Sequence, residues 1–268
     1  MAGGRLTLAL AQMAVEADAP ETNFRRAAEM VAAASRRGAA LVLLPELWAC
    51  GYGAAYFPDC AAGLGEGAFA RMAALAAAYR IAVGGSHVER AGGRLYNTFA
   101  LYGPDGRRWG AYRKIHRFLP LGEGVLAAGE AVGLAETPWG AAGLAVCYDL
   151  RFPEVFRVQR EAGARLLLLV AAWPLSRMAH WKALLRARAL ENQAFVAAVN
   201  RADGGGEPRF GGCSAVFSPQ GEVTAQAGAN ETLLLAEVAL QQADAYREAF
   251  PVWVHRRPEA YRLPEGDG

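Results

Sequence analysis

Residues 141–174 read AAGLAVCYDLRFPEVFRVQREAGARLLLLVAAWP, and this stretch decides the fold. Residues 141–146 are a short apolar run that reads as a strand. A polar turn follows at Cys147-Tyr148-Asp149, and a helical pattern runs from about Pro153 to Ala162. Residues 166–171 are a second apolar run, ending at Ala172-Trp173-Pro174. Both runs are apolar on consecutive positions rather than alternate ones, so both faces of each strand are expected to be buried.

The same alternation extends outward in both directions. Residues 6–12, 41–44, 81–84, 96–101, 195–200, 214–218 and 233–238 read as strands. Residues 23–37, 68–79, 180–192 and 239–249 read as helices, the first with Thr22 or Asn23 able to cap it. Gly92-Gly93 marks a turn between strands. Strands alternating with helices predict an α/β fold. There is no internal repeat and no linker, and Gly204-Gly205-Gly206 reads as a flexible loop tip rather than a boundary. A single domain over residues 1–268 is expected, with a C-terminal extension from about 250.

Composition narrows the function. The chain is 53% hydrophobic and 20% charged, with a net charge of +2, too even a balance to argue for a nucleic acid or an anionic membrane as partner. Met1 to Arg5 leads directly into a strand, without the basic and apolar regions of a signal peptide, and no apolar run approaches the ~20 residues a membrane span needs. The four cysteines, at 50, 60, 147 and 213, have neither zinc-site nor disulfide-scaffold spacing. Free thiols point to a reducing, cytoplasmic setting, and no metal or organic cofactor is expected.

Three apolar strands run into chemically useful groups. Residues 41–44 lead to Pro45-Glu46, residues 143–146 to Cys147-Tyr148-Asp149, and residues 166–170 to Ala171-Ala172-Trp173-Pro174. Ligands of α/β sheets bind beyond the carboxyl ends of the strands, so Glu46, Cys147 and Trp173 are expected to meet at one edge. Cys147 alone reads as a small buried hydrophobe, as most free cysteines are. Its place between a buried strand and a helix start also suits a nucleophile, because a helix dipole or nearby cation lowers a thiol pKa. Glu46 reads either as a solvated carboxylate or, pressed between Pro45 and Leu47-Trp48, as a general base with a raised pKa. Lys114 lies in the basic run Tyr112-Arg113-Lys114-Ile115-His116-Arg117. Such runs are usually surface, and Arg113 and Arg117 fit that. If the segment is extended, Lys114 and His116 face the other way.

These segments resemble the signatures of the nitrilase superfamily, the carbon–nitrogen hydrolases. The resemblance rests on Leu43-Leu44-Pro45-Glu46, on Tyr112-Arg113-Lys114-Ile115-His116, and on Cys147-Tyr148-Asp149-Leu150-Arg151-Phe152-Pro153-Glu154. It is supported by His180-Trp181, the run from Arg186 to Gln193, and Phe250-Pro251-Val252. The resemblance covers essentially the whole chain. It implies a four-layer α-β-β-α sandwich, a homo-oligomer of dimer size or higher, and a Glu46-Lys114-Cys147 triad. It also implies a second glutamate after the lysine segment, for which Glu123, nine positions on, matches better than Glu130. Tyr148-Asp149 stands where true nitrilases tend to have Trp-Glu. The form from Cys147 to Glu154 looks like the branch of ω-amidases and deaminated-glutathione amidases, which cleave the terminal amide of a small carboxylate-bearing acid.

On that resemblance Glu46 would deprotonate Cys147, and the thiolate would attack the amide carbon. Lys114 and the Tyr148 N–H would hold the oxyanion. A thioester would form with loss of ammonia and then be hydrolysed, with Glu123 positioning substrate or water. Arg151 and Arg177 are candidate partners for a substrate carboxylate, although Arg151 could equally pair with Glu154 and Arg177 could be solvated. Tyr52 and Trp173 are candidates for lining the pocket. Asp149 and Asn192 read as braces for the active-site turns, and Glu191 as an ion-pair partner of a neighbouring arginine. The expected partner is a small-molecule amide. A nitrilase, an N-carbamoyl or acyl-transfer enzyme on the same triad, and a non-enzymatic binding protein of the same fold are the rival classes.

Overall fold

The computed structural model describes residues 5–204 and 208–261. The loop tip at Gly204-Gly205-Gly206 therefore falls largely outside the described residues, as does the end of the expected C-terminal extension. The elements in chain order begin β1 (Leu6–Gln12), α1 (Pro20–Arg36), β2 (Leu41–Leu43), a four-residue α2 (Phe57–Cys60) and α3 (Gly67–Tyr79). Then come β3 (Ala82–Ala91), β4 (Arg94–Tyr102), β5 (Arg108–Arg113), β6 (Gly133–Thr137) and β7 (Gly140–Val146). The chain continues with α4 (Pro153–Glu161), β8 (Leu166–Ala171), α5 (Met178–Asn192), β9 (Phe195–Asn200), β10 (Ala215–Phe217) and β11 (Val223–Gln226). It closes on β12 (Thr232–Val238) and α6 (Gln241–Ala249).

Among the described residues twelve strands make two six-stranded sheets, ordered β12-β1-β2-β3-β4-β5 and β11-β10-β9-β8-β7-β6. The period-two geometry of a strand sorts its side chains between two cores. Leu8 and Leu10 on β1 and Leu41 and Leu43 on β2 enter one large core together with Leu144, Leu166 and Leu168 of the other sheet. The alternate residues Ala9, Ala11 and Val42 face Phe24, Val31, Phe69 and Met72 of α1 and α3. On the far side, Val155 and Phe156 of α4 and Trp181, Leu185 and Ala189 of α5 cover the second sheet. The result is the four-layer α-β-β-α sandwich. The consecutive apolar runs have both faces buried because each strand is sandwiched between a helix layer and the opposite sheet.

Three strands have no counterpart in the sequence reading: β5, β6 and β11. All three are sheet edges. Edge strands are half covered and need no apolar run, and β11 leaves most of its side chains exposed. Strand β3 runs well past residue 84, where it pairs with β4 as a long hairpin. The expected cap at Thr22 or Asn23 is corrected by the structure. The helix starts at Pro20, and Ala19 at its N-cap makes no side-chain bond. Asn23 lies inside the helix, where its amide donates to the Glu16 and Ala49 carbonyls at 2.7 and 2.9 Å. It braces a loop instead.

Strands β1, β2 and β3 run parallel in one sheet, and β7, β8 and β9 run parallel in the other. Their carboxyl ends share one edge of the sandwich, where the Glu46 N–H meets the Ala171 carbonyl at 3.4 Å. Among the described residues no helix is long and apolar enough to cross a membrane.

Candidate active site

Glu46 leaves β2 at that shared edge. Its Oε2 accepts the Ala172 N–H at 3.0 Å, so the carboxylate ties the ends of the two sheets together. Lys114 stands one residue past β5 and donates through Nζ to Glu46 Oε1 at 2.8 Å and to Glu123 Oε1 and Oε2 at 2.8 and 2.9 Å. The lysine and both carboxylates are essentially sealed from solvent, with side-chain exposures of 1%, 0% and 0%. Burial works against the ammonium, but Glu46 and Glu123 outweigh it and raise its pKa above the ordinary 10.5. Lys114 is therefore a fixed cation at neutral pH, suited to donate to a developing negative charge and unsuited to act as a base.

Glu123 also accepts from the Tyr52 phenol at 3.2 Å and from the Phe118 N–H. Burial, followed by the Glu123 charge, pushes the Tyr52 phenol well up, which keeps it a donor. Glu130 is exposed and makes no bond to Lys114, so geometry places Glu123 beside the lysine.

Sequence reasoning missed Asn97, a buried residue on β4. Its Nδ2 donates to Glu46 Oε1 at 2.8 Å and to Glu123 Oε1 at 2.9 Å, while its Oδ1 is buried without a partner. With Lys114 it spaces two buried carboxylates that would otherwise repel. The available signal was a polar residue within an otherwise apolar strand pattern, a signal too common to single out one position.

Cys147 caps β7 and begins a 3-10 turn, Cys147–Arg151. Its φ of 47° lies in the left-handed region, which is strained for a residue with a side chain. Burial raises the thiol pKa well above the usual 9.0, Glu46 adds to the rise, and Lys114 opposes it. The resting group is thus the thiol, and attack requires a base to take its proton. Its Sγ lies 3.9 Å from the Ala172 carbonyl.

A cleft opens above the sulfur, lined by Phe118, Cys147, Tyr148, Arg151, Trp173 and Arg177 among others. The Arg151 guanidinium sits 4.9 Å from the Trp173 ring centroid and 5.9 Å from that of Tyr148. It pairs with His180 Nδ1 at 3.3 Å and not with Glu154. Arg177 is exposed at the rim, its guanidinium 5.5 Å from the Phe118 centroid. Trp173 is held by its ring N–H on the Arg177 carbonyl at 2.9 Å and by its backbone N–H on Asn200 Oδ1 at 2.6 Å. Tyr52 is half-buried, and its phenol is turned onto Glu123.

The surrounding residues fall as follows. Arg113 pairs with the buried Glu89 at 2.7 Å, so it is more than a solvated surface residue. Arg117 is exposed and donates to the Leu126 carbonyl at 2.8 Å. Glu191 pairs with Arg188 at 2.8 Å and with Arg157 at 3.2 Å. The Asn192 amide donates to the Arg188 carbonyl one turn earlier in α5 at 2.9 Å.

A sandwich of this topology, with a buried Glu-Lys-Glu cluster against a cysteine at the strand ends, defines a hydrolase of the nitrilase type. The chain belongs to the carbon–nitrogen hydrolase family, whose model matches residues 7–248. It is 35% identical to the bovine (Bos taurus) omega-amidase NIT2 over 267 residues, covering 96% of each chain. It is also 35% identical to the 2-oxoglutaramate amidase of Bacillus subtilis over 257 residues, covering 95% of this chain and 99% of that one. Among solved structures, it resembles a CN-hydrolase superfamily protein of Xanthomonas campestris that carries an arsenic adduct in its active site. That match has a TM-score of 0.88 at 29% identity, over 97% of this chain and 99% of the other. The chain is accordingly an enzyme whose reaction class is hydrolysis of an amide carbon–nitrogen bond.

Proposed function

We propose that this enzyme releases ammonia from the ω-amide of a small carboxylate-bearing acid, through a thioester on Cys147. One observation carries the reading: the Lys114 ammonium is held by Glu46 and Glu123 in one buried cluster, immediately beside a buried thiol that opens on a cleft. Glu46 takes the Cys147 proton as sulfur attacks the amide carbon. The new oxyanion is met by Lys114 Nζ and by the Tyr148 N–H, which lies in the first turn of a helix where no intrahelical carbonyl precedes it. The C–N bond breaks, and the proton held by Glu46 leaves with nitrogen as ammonia. Glu46 then deprotonates water, which attacks the thioester and restores the thiol with release of the acid. Glu123 keeps Lys114 aimed.

The substrate carboxylate is assigned to Arg151 and Arg177. Both line the cleft, and neither forms an ion pair with a carboxylate of the described residues. A guanidinium in a partly desolvated pocket rewards an anionic ligand. The names of the bovine and Bacillus relatives support the same substrate class.

The test compares an ω-amide acid, its methyl ester and a simple aliphatic amide by ammonia release. Loss of one charged hydrogen bond lowers kcat/KM for the ester by roughly 1.5–3 kcal/mol, about ten- to hundredfold. Equal kcat/KM for all three would remove the carboxylate pocket. Cys147→Ala is expected to abolish turnover in a folded protein, and more than trace activity there would remove the thioester. The same screen run with paired nitriles and with added amines separates nitrilase and acyl-transfer activity.

A further inference from the structure

The geometry assigns His116 as a positioning residue that sets the distance between Lys114 and Cys147, acting through Asp149; this rests on the catalytic reading above. Asp149 is fully buried, and its carboxylate receives hydrogen bonds from two separate segments. Oδ2 accepts the Val146 N–H and the Tyr112 O–H, each at 2.9 Å. Oδ1 accepts the His116 N–H at 3.2 Å and the His116 ring at Nδ1 at 2.9 Å. Val146 immediately precedes the nucleophile, and Tyr112 and His116 stand two residues either side of Lys114. One carboxylate therefore clamps the lysine segment to the cysteine turn.

The clamp has work to do. Cys147 sits at a φ of 47°, a conformation its neighbours must impose. The Val146 N–H, held by Asp149, belongs to the residue immediately before that turn. Among the described residues His116 is the one basic side chain within 4.0 Å of the Asp149 carboxylate. A carboxylate oxygen there accepts, so Nδ1 carries the hydrogen and the ring is a donor. The ring is also stacked on Phe152, with centroids 3.6 Å apart and planes at 7°. His116 thus makes two separable contacts, a hydrogen bond to the clamp and a stack on the turn that follows it.

Two substitutions separate them. His116→Phe keeps the stack and loses the donor. His116→Asn keeps an N–H near the Nδ1 position and loses the stack. If the hydrogen bond positions the site, His116→Phe lowers kcat by about ten- to hundredfold with KM within about threefold, since small misplacements of reacting groups cost up to ~10²-fold. His116→Asn then keeps kcat within about threefold. Equal losses in both variants, or a kcat for His116→Phe within threefold of wild type, overturn the assignment. His116 is 26% exposed, which favours folded variants; should His116→Phe not fold, His116→Leu takes its place with the same reading. Cys147→Ala is run alongside. Turnover in that variant would remove the catalytic reading itself, whereas normal His116→Phe beside inactive Cys147→Ala removes only this inference.

Discussion

Asn97→Leu probes the part of the site that the sequence concealed. Leucine is close to asparagine in shape but donates nothing. The substitution removes the bonds from Nδ2 to Glu46 Oε1 and Glu123 Oε1, at 2.8 and 2.9 Å. Bonds to charged groups are worth about 1.5–3 kcal/mol each, so the gross loss is about 3–6 kcal/mol. The same change also removes the buried Oδ1 that has no partner, which returns about 1–3 kcal/mol. The net destabilisation is centred on ~2.5 kcal/mol within a span of about 0–5 kcal/mol, or roughly 5 °C in Tm at the midpoint for a chain of this size. The effect on catalysis is separate, because the freed carboxylates repel and only Lys114 still holds both. If one charged bond's worth of placement is lost from the transition state, kcat/KM falls about ten- to hundredfold. Calorimetry gives the first quantity and continuous ammonia detection the second. A folded Asn97→Leu with kcat/KM within threefold of wild type would refute the argument, because Lys114 and the other donors to the two carboxylates would then suffice to place Glu46 and Glu123.

Three further outcomes are expected. Burial depresses His87 from 6.5 to about 4, so its neutral form is favoured by folding; this stability is complete above pH 6.5 and is lost as pH falls toward 4. The loss reaches about 2.5 kcal/mol by pH 4.5, and denaturant titrations at pH 7 and 4.5 should show a smaller difference in His87→Gln. Turnover should survive chelators and stop on thiol alkylation, since among the described residues no group of three or more His, Cys, Asp or Glu could hold a metal; chelator inhibition reversed by added metal would contradict this. Analytical ultracentrifugation at micromolar concentration should find an oligomer of at least dimer size, because Phe250, Val254 and Tyr261 are 56%, 76% and 66% exposed near the C-terminus. Trp253 is tied to its own chain through the Glu191 carbonyl at 3.2 Å, and a monomer would mean the exposed residues serve no partner.

Local pattern carried much of this protein. Runs such as Leu41 to Leu44 and Leu166 to Ala171 declare buried strands because period and hydrophobicity are properties of adjacent residues. Glu46 and Cys147 were legible because each ends such a run, and Lys114 because its segment matches a family signature between them. The sequence alone determined the fold class and pointed to those three residues, while Glu123 over Glu130 was only the better match until the structure set Glu123 on the lysine. Tertiary structure decided what depends on distant segments meeting. It put Asn97 between two carboxylates and drew Arg151 onto Trp173 and His180 rather than Glu154. It joined the Lys114 segment to the Cys147 turn through Asp149 and set the Tyr52 phenol on Glu123. A polar side chain in a strand looks the same in sequence whether it faces water or a buried charge. Only the packing of one sheet on the other removes the water and leaves such groups to satisfy one another.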